Sequence, residues 1–500
     1  MSNRFFHESK GNQNTVLKSI PRRQVLKGAG ALAMTAAIGA PFINKLKAAE
    51  PHPLAGQKIE MNILGIAGWL PSSLGVQMSP LFADYVKDRF NYDVSFSFAE
   101  APFSDLFQKA ATSLATKSQE YNIIISDSQW IGALAQPGWI LKMNDLVANN
   151  PELNIDWYSQ VVVDTYMTYP DGTKNIWGLP QEGDTIALFV RKDMLQDEKE
   201  KSAFQQKYNM KLPQTFEDFE DLTMDDFEKV AEFFTRPDQG LYGTAMQYSR
   251  VYDFVSCYLY PFMFSQGGEI WNQNTGQIVD ILNSDINAKA MEQMKSWLKY
   301  QPPGAVNFGI AEEIDVFTQN KVFSAFQWAA VGLVMIPDDM KDKVMVVAPP
   351  KHGKGTDARR VYTMGGQPWV VNAYNDDAHM RVAIDFLKWW YQPDTALEFA
   401  KRGGNPCDAA TLSNPAFDDL NPWNRAYKFM LDGGRSRDFW HNPKYAEMLA
   451  LQQEGFTSYM TGTSQDARAV LDYIACGQQQ ILNDAGFAEA VPNMCYTTSL

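Results

Sequence analysis

The chain has 500 residues, 45% of them hydrophobic, and sets 44 Lys and Arg against 58 Asp and Glu for a formal net charge of −14. Such a length buries large cores and predicts roughly two or three domains, while the acidic balance excludes partners with phosphate backbones or anionic lipid heads, so no nucleic acid is expected. Thirteen Trp, 21 Tyr and 30 Phe exceed what core packing asks for, and some of these rings are expected at a ligand site, where a flat apolar face with a polar handle suits a partly wet surface.

The chain opens on a targeting segment. Pro21-Arg22-Arg23-Gln24-Val25-Leu26-Lys27 places paired arginines before Gly28 to Gly39, an apolar stretch too short to span a bilayer, which ends in Lys45-Leu46-Lys47-Ala48-Ala49. Residues 1–49 read as a removable export signal. The paired arginines resemble the twin-arginine class, with Pro21 and Val25 where Ser/Thr and Phe are commoner. That resemblance implies the twin-arginine export machinery as partner of the precursor and the periplasm as destination, with cargo exported already folded. Gly28, Gly30 and Ala33 mimic a dinucleotide fingerprint, but no strand precedes them. No cysteine lies near the signal end, so a lipid-attached cysteine is excluded and the exported protein is expected to be soluble. Without residues 1–49 the balance is 36 basic against 57 acidic residues, or −21.

Beyond the signal the pattern alternates. Ile59 to Ile66 predicts a strand and the glycine- and proline-rich stretch after it a loop carrying Trp69. Pro80 to Phe90 predicts a helix, Asp93 to Phe98 a strand ending at Glu100, and Ser104 to Thr116 a second helix. Tyr121 to Ser126 is a buried strand that stops at Asp127-Ser128-Gln129-Trp130. This order predicts a parallel sheet with crossover helices. Ligands sit at the carboxyl ends of such strands, so Trp69, Glu100, Asp127, Gln129 and Trp130 are expected on one rim.

Tyr169 to Lys174 is a turn, and Ile176 to Thr185 leads into the apolar strand Ile186 to Val190. Residues 193–240 are charged and largely helical, with a helix start at Thr215. Gly267-Gly268-Glu269 and Asn274-Thr275-Gly276 are turns before a helix at Ala288 to Lys299. The four cysteines, Cys257, Cys407, Cys476 and Cys495, have no CxxC spacing, which disfavours a zinc or redox site. A chain folded in the reducing cytosol before export is expected to bury them as free thiols.

Several short motifs recur in order. They are Tyr121 to Trp130, Ala135-Gln136-Pro137-Gly138-Trp139, Asp171-Gly172 through Gly178-Leu179-Pro180 to Arg191-Lys192-Asp193, Leu212-Pro213-Gln214-Thr215-Phe216, Phe317 to Trp328, and Gly365-Gly366-Gln367 before a helix from Ala378. Over residues 58–485 this order resembles the extracellular solute-binding proteins of family 1, the sugar-type receptors of ABC importers. Departures are Val190-Arg191-Lys192-Asp193, where Tyr-Asn-Lys-Asp is commoner, and Asn122, where Asp is usual.

The resemblance implies an α/β, two-lobed periplasmic binding protein fold, each lobe a mainly parallel sheet flanked by helices, joined by hinge strands. Crossings fall near Pro180 to Thr185, Thr363 to Gln367 and Asn405 to Ala410. Lobe one then comprises 50–183 plus 366–408, and lobe two 184–365 plus 409–500. The implied partners are a small-molecule solute, a sugar or polyol, and the membrane permease of an ABC importer.

Such a solute offers many hydroxyls and an apolar face, so its receptor needs carboxylates and amides together with aromatic rings. Glu100, Asp127, Gln129, Asp184 and Gln367 suit the first role, with Gly366 beside them at the hinge. Trp69, Trp130, Trp328 and Trp440 suit the second. Trp328 leads, because the resemblance places a stacking tryptophan there, whereas Trp369 sits in a stretch that reads as a buried strand and is expected in the core. Two alternatives stay open: a same-fold receptor for a non-sugar solute such as a polyamine, and an exported carbohydrate enzyme using Glu100, Asp127 and Asp184 as paired acids. Nucleophile-elbow, HExxH and P-loop patterns are absent from the sequence, and His52, His352, His379 and His441 are scattered, so no catalysis, metal or cofactor is expected.

Overall fold

The computed structural model describes residues 51–488; the expected export signal at 1–49 and Cys495 lie outside the described residues. The strands are β1 (Lys58–Ile66), β2 (Asp93–Ala101), β3 (Ile123–Ile125), β4 (Leu179–Arg191), β5 (Ser324–Trp328), β6 (Val344–Val347), β7 (Tyr362–Val371) and β8 (Ser436–Arg437). β1 lies between β2 and β3 and runs parallel to both. Its side chains alternate between exposed and buried at first and end in four buried residues, as expected for a strand entering a core. The helices Leu70–Phe90 and Phe103–Ala115 make the crossovers.

The first helix starts ten residues earlier than the sequence suggested, at Leu70 instead of Pro80. Pro71 falls in its first turn, where a missing N–H costs nothing because that donor has no intrahelical partner. Trp69 is therefore the residue that caps this helix. Thr215 caps Phe216–Asp221 with a reciprocal Asp218 side chain, and Ser284 caps Asp285–Ser296, close to the expected positions.

β7 runs antiparallel to β3 and to the first half of β4. All thirteen residues of β4 are buried, and its pairing changes partway along. Leu179 to Thr185 pair with β7, and Ile186 to Arg191 with β5, β6 or both, in antiparallel register. One strand thus carries the chain from the first sheet into a second. The expectation of mainly parallel sheets describes β2-β1-β3; around β4 the pairing is antiparallel, because β5 and β6 return after helical excursions and run against the strand that entered.

The helix Phe254–Ser265 is buried from Val255 to Ser265 and apolar all round, which suits an element enclosed on every side. Trp369 has no exposed surface and meets the rings of Phe386 and Trp390 at centroid distances of 5.2 Å, edge to face. Its expected place in the core is the observed one. Cys257 and Cys407 are free and buried. Cys476 departs from the expected free thiol, since it is disulfide-bonded.

Candidate functional site

Where the strands of both sheets end, the chain forms a narrow, partly open cavity of about 30 Å³, room for a few water molecules as the lobes stand. Trp69 follows β1, Phe103 follows β2, and Asp127 and Gln129 follow β3. Asp184 comes from β4, Trp328 from the end of β5, and Gly365, Gly366 and Gln367 from β7; Tyr252, Asp253, Phe254 and Cys257 close the far wall. Of the residues singled out from sequence, Trp69, Asp127, Gln129, Asp184, Trp328, Gly366 and Gln367 are brought together here.

Three are not. Glu100 is exposed on β2, opposite Gly65, and the pleat turns Ala101 inward in its stead. Trp130 ends a single 3₁₀ turn and is fully buried, with ring contacts to Phe107 and Tyr252 at 5.6 and 6.3 Å. Trp440 is fully buried against Phe439. Sequence reasoning also missed Phe103, Tyr252, Asp253 and Phe254. The only signal for Tyr252, Asp253 and Phe254 was an acid between two aromatics at the start of the apolar run Phe254 to Ser265.

The polar groups form a connected set. Tyr252 Oη donates to Asp127 Oδ2 at 2.8 Å, and Gln129 Nε2 donates to Asp253 Oδ2 at 2.9 Å. Behind them Ser128 Oγ donates to Asp438 Oδ2 at 2.6 Å, and His441 Nδ1 lies 3.0 Å from Asp171 Oδ1. Tyr252 has φ +48, a left-handed conformation that costs an aromatic residue energy and is held by this network. Asp184 Oδ1 accepts from the backbone N–H groups of Thr185 and Ala330 at 2.8 and 3.0 Å, which ties the turn after Trp328 to the hinge strand.

The aromatic walls are equally specified. Trp69 Nε1 donates to Gln367 Oε1 at 2.8 Å and to Glu182 Oε1 at 3.1 Å. Its ring meets Phe103 edge-on at 5.5 Å, and Phe103 stacks on Tyr252 at the same centroid distance. Trp328 is 8% exposed and lies against Gly365, where an added Cβ would sit 2.7 Å from Cζ3. Only glycine leaves room for the indole there.

Burial governs the electrostatics. It pushes Asp184 up to about 8, against the opposing backbone hydrogen bonds. Asp127 rises to about 7 through burial and then the nearby Asp253 and Asp438 carboxylates, and Asp253 to about 6 through burial, held back by the Gln129 amide. Glu182 is raised well above the usual carboxylate range by burial and by Asp184. For His441 burial acts downward, but the hydrogen bond to Asp171 and the Asp438 carboxylate raise it to about 10. Asp184 Oδ2 and Gln129 Oε1 are buried acceptors with no partner in the protein. Both belong to residues that line the cavity, where a hydroxyl or ammonium donor of a solute can reach them. Among the described residues no group of three or more His, Cys, Asp or Glu side chains is placed to hold a metal ion, and no helix is long and apolar enough to cross a membrane.

Solved structures share this fold. A solute-binding protein of an ABC transporter from Agrobacterium radiobacter K84, in complex with ribitol, is 19% identical, with a TM-score of 0.69 over 86% of this chain and 100% of that one. Maltose-bound MalE3 of T. maritima is 16% identical at TM-score 0.68, over 85% and 100%. A solute-binding protein from Agrobacterium vitis S4 with bound D-mannitol is 15% identical at TM-score 0.64, over 86% and 99%. The fold is therefore that of two-lobed binding proteins. The sequence profile described as bacterial extracellular solute-binding protein matches residues 75–396, most of the chain, and the chain belongs to that family.

Proposed function

We propose that this protein is an exported receptor that captures a sugar or polyol between two lobes and delivers it to the permease of an ABC importer. The observation that carries this reading is a cavity in which unpaired buried acceptors, Asp184 Oδ2 and Gln129 Oε1, stand beside Trp69 and Trp328. Solute hydroxyls supply the missing donors, and a ring or carbon chain covers the indoles. The ribitol, mannitol and maltose held by proteins of the same fold support the same class.

The lobes of this reading are 50–183 with 366–408 and 184–365 with 409–500. The change of partners along β4 at Thr185 and Ile186 supports a hinge there. Tyr252–Asp127, Gln129–Asp253 and Ser128–Asp438 then bridge the lobes and hold the clamp shut. The protein acts as a receptor, not an enzyme, in the periplasm, reached through the twin-arginine route. Replacing Arg22 and Arg23 with lysine is expected to retain the precursor in the cytoplasm; normal export of that variant would sink the route.

The direct test is to isolate the protein from its natural host, denature it and identify the released small molecule by mass spectrometry. A sugar or polyol at near-equimolar yield is the expected result. A peptide or a metal ion in its place would overturn the proposal.

A further inference from the structure

Asp127, Asp184 and Asp253 line the cavity, and among its described lining residues there is no lysine, arginine or histidine. All three carboxylates are buried, with at most 7% of their surface exposed. Their partners are neutral: the Tyr252 and Ser128 hydroxyls, the Gln129 amide, and backbone N–H groups. The cation on His441 is engaged by Asp171 and Asp438, neither of which lines the cavity. The unpaired Asp184 Oδ2 lies in β4 opposite Gly365, the residue on which the Trp328 indole rests.

We propose that the solute carries a protonated amine in addition to its hydroxyls, an amino sugar or amino polyol, seated with its ammonium against Asp184 beside Trp328. This rests on the receptor reading above and narrows its ligand class. With a neutral polyol, burial leaves Asp184 largely protonated near neutral pH, whereas an ammonium beside it holds the carboxylate form and pairs with it. An ammonium brings three donors and a positive charge to the same atoms, and the faces of Trp69, Trp328 and Tyr252 attract a cation as well as a C–H face.

The test is calorimetric titration of the full mature chain with pairs that differ only in an amine or hydroxyl: glucosamine and glucose, galactosamine and galactose, glucamine and glucitol, with putrescine as an amine without hydroxyls. At least one amine is expected to bind roughly tenfold or more tightly than its alcohol partner. That advantage should shrink as salt is raised. It should also be lost in Asp184→Asn, which keeps the Oδ1 acceptor for the backbone; Asp253→Asn is the second variant should the first not fold. Alcohols that bind as well as or better than every amine overturn this inference and leave the receptor reading standing. Putrescine alone binding overturns both, whereas none of the pairs binding overturns this inference and leaves the receptor reading to the mass-spectrometric test.

Discussion

Two clusters of aromatic rings in this molecule look alike in sequence and differ in use. Trp369, Phe386, Trp389 and Trp390 pack ring against ring behind the first sheet, and Trp369 has no exposed surface. Trp69, Phe103, Tyr252 and Trp328 stand around the cavity interleaved with Asp127, Asp184 and Gln367. Trp69 and Trp328 are buried like the core rings, with Phe103 and Tyr252 half-buried, so burial alone does not separate the two sets. What does is their neighbours: the core rings meet other rings, whereas the cavity rings alternate with carboxylate and amide side chains. Unmet hydrogen bonding does not separate the two, since Trp369 Nε1 in the core is unpaired as well; the polar side chains between the cavity rings do.

The largest effect that can break this comparison is on the core. Trp369→Ala removes a fully buried indole and is expected to cost about 3–5 kcal/mol of stability, read by denaturant melts of the ligand-free protein. The protein that remains folded should bind solute with unchanged affinity. A weakened affinity without loss of stability would place Trp369 with the cavity rings.

The converse applies to Trp328. Trp328→Ala is expected to lower affinity by about 2 kcal/mol, roughly thirtyfold, by analogy with aromatic anchors at interfaces. Calorimetric titration together with melts of the ligand-free variant checks it. Unchanged affinity beside a large drop in stability would make Trp328 a second core ring.

A smaller effect sharpens the contrast through pH. The folded values of Asp127, Asp184 and Asp253 are raised to about 7, about 8 and about 6, above those of the unfolded chain. Between the unfolded and folded values the native state binds more protons than the unfolded one, so stability falls as pH rises from about 4 to about 8. His441, raised to about 10, acts in the same direction: its contribution is complete below about 6.5 and is lost as pH rises through about 10. Melting temperatures of the ligand-free protein should drop by a few degrees between pH 5 and pH 8, and Asp184→Asn should flatten the slope. A core substitution such as Trp369→Ala should leave that slope as it was.

The sequence made the first sheet and its rim legible, because a strand that alternates with helices has its carboxyl end at the ligand side whatever else the chain does. That logic put Trp69, Asp127 and Gln129 on one rim, and all three line the cavity. It failed within single residues: the pleat sends Glu100 outward, and one 3₁₀ turn rotates Trp130 into the packing behind Gln129. Tyr252 and Asp253 were illegible for a different reason. They meet Asp127 and Gln129 across more than a hundred residues, a proximity set by the whole fold and not by any local pattern.

The central claim is that the two sheets, joined through β4 and β7, close on one solute. Small-angle scattering of the mature protein, with and without a saturating amount of the solute it yields on denaturation, tests that claim most directly. A smaller radius of gyration in the presence of solute is the result predicted by closure. Superimposable scattering curves would contradict it and leave the cavity as the pocket of a rigid protein.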